Sequence, residues 1–256
     1  MNAMNVESNA PRGTIVIGGS GALGREVVRA IHAEGGKVGL TYFQNADGAN
    51  ELCAELPGTV AAFADGRDLD SLAAAIDELS DRLPGVTSLV HCASICLAPG
   101  DPVPDHSAQK MADISGQGWD ELMALNVKSV FFSCQQVIPK MQASGGGNLV
   151  LVGSISGTRP LPSPIHYATS KMALEGMARS MAKEFGGDNL RVNVVEPGIL
   201  EDGLSRTLPE ALVDEYKKHC ALRRVGQMSE VASVIAWLAV ANTYVSGQAI
   251  LVDGAL

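Results

Sequence analysis

Seven short apolar runs alternate with amphipathic stretches along the chain, and this alternation constrains the fold more than any other sequence feature. The runs predict strands at 14–17, 38–42, 60–63, 88–92, 149–152, 192–195 and 249–252. Apolar residues at helical spacing predict helices beginning near 23 and at 49–56, 69–83, 119–141, 166–185, 209–219 and 229–240. Strands that alternate with helices predict an α/β fold, with a doubly wound, seven-stranded parallel sheet flanked by helices.

The chain is expected to form one domain over residues 13–256, after a polar, turn-rich tail at 1–12 that we predict to be disordered. Its first residues lack the apolar core of a signal peptide, and no run approaches the ~18 apolar residues that span a membrane. The formal charge of -9 argues against a nucleic-acid or anionic membrane partner, since either needs a basic surface. Small molecules are therefore the expected ligands.

The cysteines of the chain are odd in number and widely spread. Cys92 and Cys96 have neither a second close pair nor a neighbouring histidine cluster, so no metal site is predicted. We expect reduced thiols in the core of a cytoplasmic protein.

A glycine-rich turn, GGSGALG at 18–24, follows the first predicted strand and opens a helix. Glycines allow a tight turn and a close approach of the backbone to a pyrophosphate, whose charge is met by amides at the helix N-terminus. This order of strand, turn and helix is typical of a Rossmann dinucleotide site. Ligands of such sheets bind beyond the carboxyl ends of the strands, so we expect the chemistry there.

Tyr167 and Lys171 lie four residues apart, and so on one face of the predicted helix. Two interpretations are open: Lys171 extends from a buried helix edge beside a packing tyrosine, or Tyr167 is an acid/base group. A nearby ammonium favours phenolate, and lowering the phenol pKa by about three units requires roughly 4 kcal/mol. Ser154, just past the apolar strand LVLV, is placed to share a substrate oxygen with Tyr167.

In combination, these motifs resemble the short-chain dehydrogenase/reductase family. The glycine turn, Asn126 in LNVKSVFF, Ser154, Tyr167 and Lys171 stand in the order of that family, and the spacing from Ser154 to Tyr167 is that of the family. The ending VSGQAILVDGAL is also similar to the family's tail. The resemblance extends from about residue 13 to the last residue.

The resemblance implies an oxidoreductase that transfers hydride between a nicotinamide dinucleotide and a ketone or secondary alcohol. Tyr167 would exchange the proton and Ser154 would hold the substrate oxygen. Lys171 would bind the nicotinamide ribose and lower the Tyr167 pKa, and Asn126 would position a water that links Lys171 to solvent. The family also implies a homotetramer or homodimer that uses the Tyr167 helix and the helix beginning at Trp119.

The same resemblance assigns the dinucleotide contacts. They are Gly18, Ser20, Gly21, Ala22, Leu23, Gly24, Tyr42, Phe43, Asp65, Ala93, Ser94, Tyr167, Lys171, Pro197, Gly198 and Leu200. No carboxylate stands at 42–45 to select NAD(H), and no Arg or Lys stands there or in the glycine turn to bind a 2′-phosphate. We favour NADP(H) over NAD(H). Asp65 either lies near the adenine or caps the following helix.

Two departures from the family pattern leave a second function open: residues 91–94 read HCAS where the family has Asn-Asn-Ala-Gly, and Asp202 replaces a threonine that contacts the nicotinamide amide. Ala22 also replaces a glycine, but this small residue should still allow a close approach. His91 is interpreted as a structural histidine. The alternative function is a non-catalytic dinucleotide sensor or partner protein. A serine hydrolase is excluded, because Ile155 occupies the nucleophile position of the GSISG segment.

Substrate contacts are expected from the segment 199–224, with Leu200, Leu204 and Leu208 as candidates, and from His166, directly before Tyr167. The segment 98–118 is longer than the family usually carries. It is interpreted either as a surface excursion or as a flap on the substrate side.

Overall fold

The computed structural model describes residues 12–97, 109–159 and 161–256. The strands are β1 Gly13–Ile17, β2 Lys37–Tyr42, β3 Val60–Phe63, β4 Val86–His91, β5 Gly147–Val152, β6 Leu190–Pro197 and β7 Ala249–Val252. The helices are α1 Ala22–Ala33, α2 Ala46–Glu55, α3 Leu69–Arg82, α4 Gly116–Met123, α5 Ser129–Ala143, α6 Ile165–Phe185, α7 Glu210–His219 and α8 Met228–Val240. Every predicted strand and helix is present.

All seven strands are parallel, in the order β3-β2-β1-β4-β5-β6-β7. The predicted doubly wound sheet is therefore confirmed. Chain order reverses between β1 and β4, which is the point where such sheets open a crevice for a ligand. Because the strands are parallel, their carboxyl ends meet along one edge of the sheet.

Helices cover both faces of the sheet, which explains why the strands read as continuous apolar runs rather than alternating ones. β1 and β5 are buried along their whole lengths. One core forms where α3, α5 and α6 pack on the sheet, and a second where α1, α2 and α8 pack on the opposite face. The two cores fix the strand ends from which the functional loops emerge.

The helix predicted at 119–141 is interrupted by a turn that its periodicity does not reveal. Residues Ala124–Lys128 form a single π-helical turn between α4 and α5, and this turn carries Asn126. π-turns insert a residue into a helix and are frequent at functional sites. The extra residue changes the direction of the side chains that follow it.

At the amino end, the interpretation of residues 1–11 as a tail lies outside the described residues. Arg12, which was assigned to that tail, accepts a hydrogen bond from the Lys37 amide at 3.0 Å and so continues the β1–β2 pairing. None of the described helices is long and apolar enough to cross a membrane.

Candidate active site

A cleft of about 910 Å³ opens at the carboxyl ends of the strands. Its lining includes Ser154 and every residue predicted to contact the dinucleotide. Asn126, the remaining predicted residue, is buried beside the cleft with 1% of its surface exposed. The topology thus brings together residues that are up to about 180 positions apart in the sequence, as parallel strands require.

The glycine turn leaves no room for side chains at three of its positions, Gly18, Gly19 and Gly24. A Cβ at Gly24 would lie 2.2 Å from the Gly18 carbonyl oxygen, and one at Gly18, where φ is +76°, would lie 2.8 Å from the Ala93 backbone. α1 follows directly, with Gly21 as an N-cap that provides no side-chain hydrogen bond. The turn and the uncapped amides of α1 therefore fit an anionic pyrophosphate.

Tyr167, Ser154 and Lys171 converge at the middle of the cleft. Tyr167 stands in the first turn of α6, Ser154 follows the end of β5, and both side chains line the cleft, where the Ser154 hydroxyl lies close enough to lower the phenol pKa. The Lys171 ammonium lies 5.7 Å from the centroid of the Tyr167 ring and donates to the Val152 carbonyl at 2.9 Å. This geometry places two hydroxyls where one carbonyl oxygen could contact both.

The pKa of Tyr167 differs from the expectation. Burial raises the pKa of the phenol above its ordinary value, the nearby Cys96 thiol adds to the rise, and the Ser154 hydroxyl opposes it. The predicted lowering by Lys171 is therefore wrong, because that ammonium bonds the Val152 carbonyl rather than the phenol oxygen. Burial lowers the pKa of Lys171 to about 8.

The side-chain oxygen and nitrogen of Asn126 are each hydrogen-bonded to two protein groups. Its carbonyl oxygen accepts from the Ile95 amide at 3.0 Å and from the Ser94 hydroxyl at 3.2 Å. Its amide group donates to the Ile95 carbonyl at 2.8 Å and to the Ser170 hydroxyl at 3.1 Å. The side chain thus links the loop after β4 to α6, the helix that carries Tyr167 and Lys171, and so helps to hold these two residues in place.

Sequence reasoning missed Arg67. The Asp65 carboxylate, which was predicted to lie near the adenine or to cap α3, is bound by the Arg67 guanidinium through two 3.0 Å hydrogen bonds. The α3 cap is Asp68, so the capping interpretation of Asp65 is wrong. The guanidinium carbon of Arg67 lies 5.2 Å from the centroid of the Phe43 ring, at the end of β2. The pairing of β2 with β3 could have indicated this contact, because adjacent parallel strands bring the loops that follow them together.

The interpretations of the two histidines His91 and His166 have different outcomes. His91 is structural, as predicted: it is buried, its Nε2 lies 3.1 Å from the Ser129 hydroxyl, and burial lowers its pKa to about 3. His166 does not face the substrate side of the cleft. It is fully buried, and its ring stacks on Trp119 at a centroid distance of 6.4 Å, between α4 and α6.

Asp202, which stands where the family has a threonine, bonds to residues of its own loop. Its carboxylate accepts from the Gly203 amide and forms an ion pair with Arg206, so it caps the short helical turn at 203–207. Leu200, Leu204 and Leu208 all line the cleft, as predicted. Of the segment 98–118, residues 98–108 lie outside the described residues, while Gln109 lines the cleft.

Cys53 is half-buried and lies away from the cleft, and the other four thiols divide into two groups. Cys134 and Cys220 are buried, as expected of core cysteines. Cys92 and Cys96 instead line the cleft, and burial raises their pKa values to about 12 and about 11. Both thiols are therefore neutral near pH 7 and act as small apolar surfaces beside Tyr167 and Lys171.

A buried carboxyl pair stands behind Ser154. Glu196 on β6 is fully buried, and the Thr158 hydroxyl donates to it at 3.2 Å. Glu175 on α6 is nearly as buried and pairs with Arg179. Burial, with Glu175 adding to it, raises the pKa of Glu196 to about 7. The pair links β6 to α6 where both support the strand end at Ser154.

Comparisons with known proteins agree with this geometry. Residues 19–256 match the family model described as enoyl-(acyl carrier protein) reductase. A probable galactose dehydrogenase of Rhizobium meliloti is 28% identical over 251 residues, which is 95% of this chain and 94% of the relative. The 3-oxoacyl-(acyl-carrier-protein) reductase of Thermotoga maritima is 30% identical over 246 residues, which is 94% of this chain and 96% of the relative.

Among solved structures, a short-chain dehydrogenase from Burkholderia cenocepacia in complex with NADP has a TM-score of 0.85 and 25% sequence identity. The match covers 96% of this chain and 97% of that one. Sequence and fold thus agree over nearly the whole length of both proteins. The chain belongs to the short-chain dehydrogenase/reductase family and is an oxidoreductase that acts on CH–OH or C=O groups.

Proposed function

We propose that the protein interconverts a ketone and a secondary alcohol with NADP(H), and that Ser154, Tyr167 and Lys171 carry the reaction with Asn126 in support. The observation that carries this proposal is that Ser154, Tyr167 and Lys171 line one cleft, with the Lys171 ammonium beside the Tyr167 ring and a glycine turn that fits a pyrophosphate. These groups leave a position between the two hydroxyls for one substrate oxygen.

Each residue has a distinct part in the proposed reaction. In the direction of reduction, a bound NADPH would supply the hydride for the carbonyl carbon. Ser154 holds the carbonyl oxygen, and Tyr167 donates its phenolic proton to that oxygen as it becomes an alcohol. Lys171 supplies a positive charge beside the phenol and the ribose. Asn126 holds the loop after β4 against α6.

The choice of NADP(H) rests on the charges at the end of β2. The segment 42–45 carries no carboxylate that would repel a 2′-phosphate. Arg67 neutralises Asp65 and presents its guanidinium beside Phe43, and Arg25 also lines this part of the cleft. A guanidinium binds phosphate strongly through charge-assisted hydrogen bonds. We therefore propose Arg67 as the group that favours the phosphorylated dinucleotide.

Fluorescence titration with NADPH and NADH tests this choice. We expect the wild-type protein to bind NADPH more tightly than NADH, and Arg67→Ala to weaken NADPH binding by about tenfold with little change for NADH. The substitution removes the cation and leaves the Asp65 carboxylate unpaired in the cleft. Arg82→Ala, which removes an exposed arginine from α3, is the matched control. Equal loss of both dinucleotides in Arg67→Ala would contradict the assignment.

We also propose a homodimer or homotetramer. Apolar side chains are exposed on the helices expected at the interface: Trp119 on α4, Phe131 on α5, and Ile165 and Met172 on α6. Exposed apolar side chains that share one surface favour burial against a partner. Light scattering is expected to give a mass of two or four times 26.6 kDa, and a mass equal to a single chain would exclude the oligomer.

A further inference from the structure

The two ends of the cleft differ in chemistry because different strands build them. The loops after β1, β2 and β3, with the start of α1, carry the charged and polar residues at one end, among them Arg25, Asp65 and Arg67. The loops after β5 and β6 build the other end. The strand order separates these two groups of loops on opposite sides of the β1–β4 crevice.

The end built by the β5 and β6 loops has an apolar surface, which we call the apolar wall. Its members are Ile155, Leu161, Ile199, Leu208 and Leu212. Ile155 directly follows Ser154, so the wall begins beside the hydroxyl proposed to hold the substrate oxygen. A substrate that contacts Ser154 and Tyr167 must therefore place at least one of its two carbon substituents along this wall.

The apolar wall is fixed by packing. Leu161, Leu208 and Leu212 rest on a small core of Ile155, Ile199, Tyr216 and Cys220. α7 approaches closely because Gly198 lacks a side chain: a Cβ there would lie 2.2 Å from the Tyr216 hydroxyl. That hydroxyl donates to the Asp253 carbonyl at 2.7 Å, which holds α7 against the end of the sheet. The wall is thus preformed, as small-molecule sites usually are.

The charged groups at this end satisfy each other. Among the described residues that line it, Asp202 and Arg206 carry charge, and they pair with one another. The Ser205 hydroxyl accepts from the Leu200 amide at 3.2 Å. A sugar bound along the apolar wall would place hydroxyls against leucine side chains, and the Ser156 and Ser163 hydroxyls that also line the cleft could replace only part of its hydrogen bonds with water, which is costly. An apolar substituent would instead exchange water for the leucines.

We propose that the natural substrate is an uncharged ketone or secondary alcohol with an apolar chain or ring, rather than a sugar. This inference rests on the proposed function, since it concerns the substituents of the carbonyl held by Ser154 and Tyr167. The names of two relatives indicate two kinds of substrate, galactose for one and an acyl chain for the other. Under this proposal, the protein prefers substrates with an apolar chain, as in an acyl group, over sugars.

Oxidation of 2-octanol and of galactose, each with NADP⁺, provides the comparison in one reaction direction. We expect kcat/KM to be at least about 100-fold higher for 2-octanol, since several apolar contacts contribute and each is worth about tenfold or more. Leu208→Asn and Leu212→Asn should each lower kcat/KM for 2-octanol by about tenfold while NADPH binding is unchanged. Leu222→Asn, at a mostly exposed leucine, is the matched control.

Calorimetric binding of octanamide, an unreactive neutral amide, gives a readout that does not need turnover. With NADP⁺ present, we expect octanamide to bind the wild-type protein and to bind Leu208→Asn about tenfold more weakly. Absence of octanamide binding, or equal affinity in Leu208→Asn and wild type, would overturn the apolar substrate class. Thermal unfolding of each variant verifies that it is folded.

The outcomes separate this inference from the proposed function. Faster oxidation of galactose than of 2-octanol overturns the substrate class and leaves the oxidoreductase proposal standing. Octanamide binding that depends on Leu208, without turnover of any alcohol or ketone, supports the apolar wall as a binding surface and contradicts the proposed reaction. Galactose and 2-octanol turned over at equal kcat/KM would also overturn the inference.

Discussion

Replacement of Tyr167 by Phe is expected to lower kcat for ketone reduction by about 10³-fold, while the dissociation constant of NADPH stays within about twofold. The substitution keeps the aromatic ring, and so the packing of the first turn of α6. It removes the only atom that we propose as proton donor to the substrate oxygen. Because that proton moves in the transition state, its loss affects the rate rather than cofactor binding.

Steady-state kinetics with the best ketone of a panel, together with an NADPH titration, measure the two quantities separately. Tyr244→Phe removes a hydroxyl from a side chain that is 95% exposed and serves as the control. Wild-type turnover in Tyr167→Phe would remove this residue from the mechanism. Loss of NADPH binding in parallel with turnover would instead indicate a structural role for the hydroxyl.

Replacement of Lys171 by Met is expected to lower kcat/KM by at least about 100-fold. Met retains most of the buried volume and removes the charge. The Val152 carbonyl also loses its 2.9 Å donor. Lys183→Met, an exposed position on the same helix, is the matched control, and it should behave as wild type. Retention of more than about half of the wild-type activity by Lys171→Met would contradict the role.

The pH profile provides a signature of Lys171 that a purely structural role would not give. Burial lowers the pKa of this ammonium to about 8, so it is protonated below that pH and neutral above it. Reduction needs the charged form, and kcat/KM should therefore be constant at lower pH and fall as the pH rises through about 8. This alkaline decline should be missing from the residual activity of Lys171→Met.

The fold was predictable because its signal is distributed over the whole chain. Each strand is an apolar run and each helix an amphipathic stretch, so the order of elements follows from periodicity alone. The π-turn at Ala124–Lys128 was not predictable in this way. One inserted residue hardly changes the apolar spacing on either side, yet it turns Asn126 toward the Ile95 backbone and Ser170.

The site was predictable where neighbours in sequence are neighbours in space. Tyr167 and Lys171 share a helix face, and the glycine turn is one continuous segment. Arg67 escaped detection because it reaches Phe43 only through the pairing of β2 with β3. The prediction that His166 faces the substrate was wrong, because consecutive residues of a helix point about 100° apart around its axis. The pKa of Tyr167 depended on burial, which no pattern of residues reports.

The strand order also bears on how such a protein can diversify. The loops proposed to select the dinucleotide phosphate leave the sheet after β2 and β3, whereas the loops that form the apolar wall leave it after β5 and β6. Mutations in one set need not disturb the other, because the hydroxyls and the lysine stand between them on α6 and β5. A lineage can therefore acquire new substrates while it keeps its redox carrier, or exchange the carrier while it keeps its substrate.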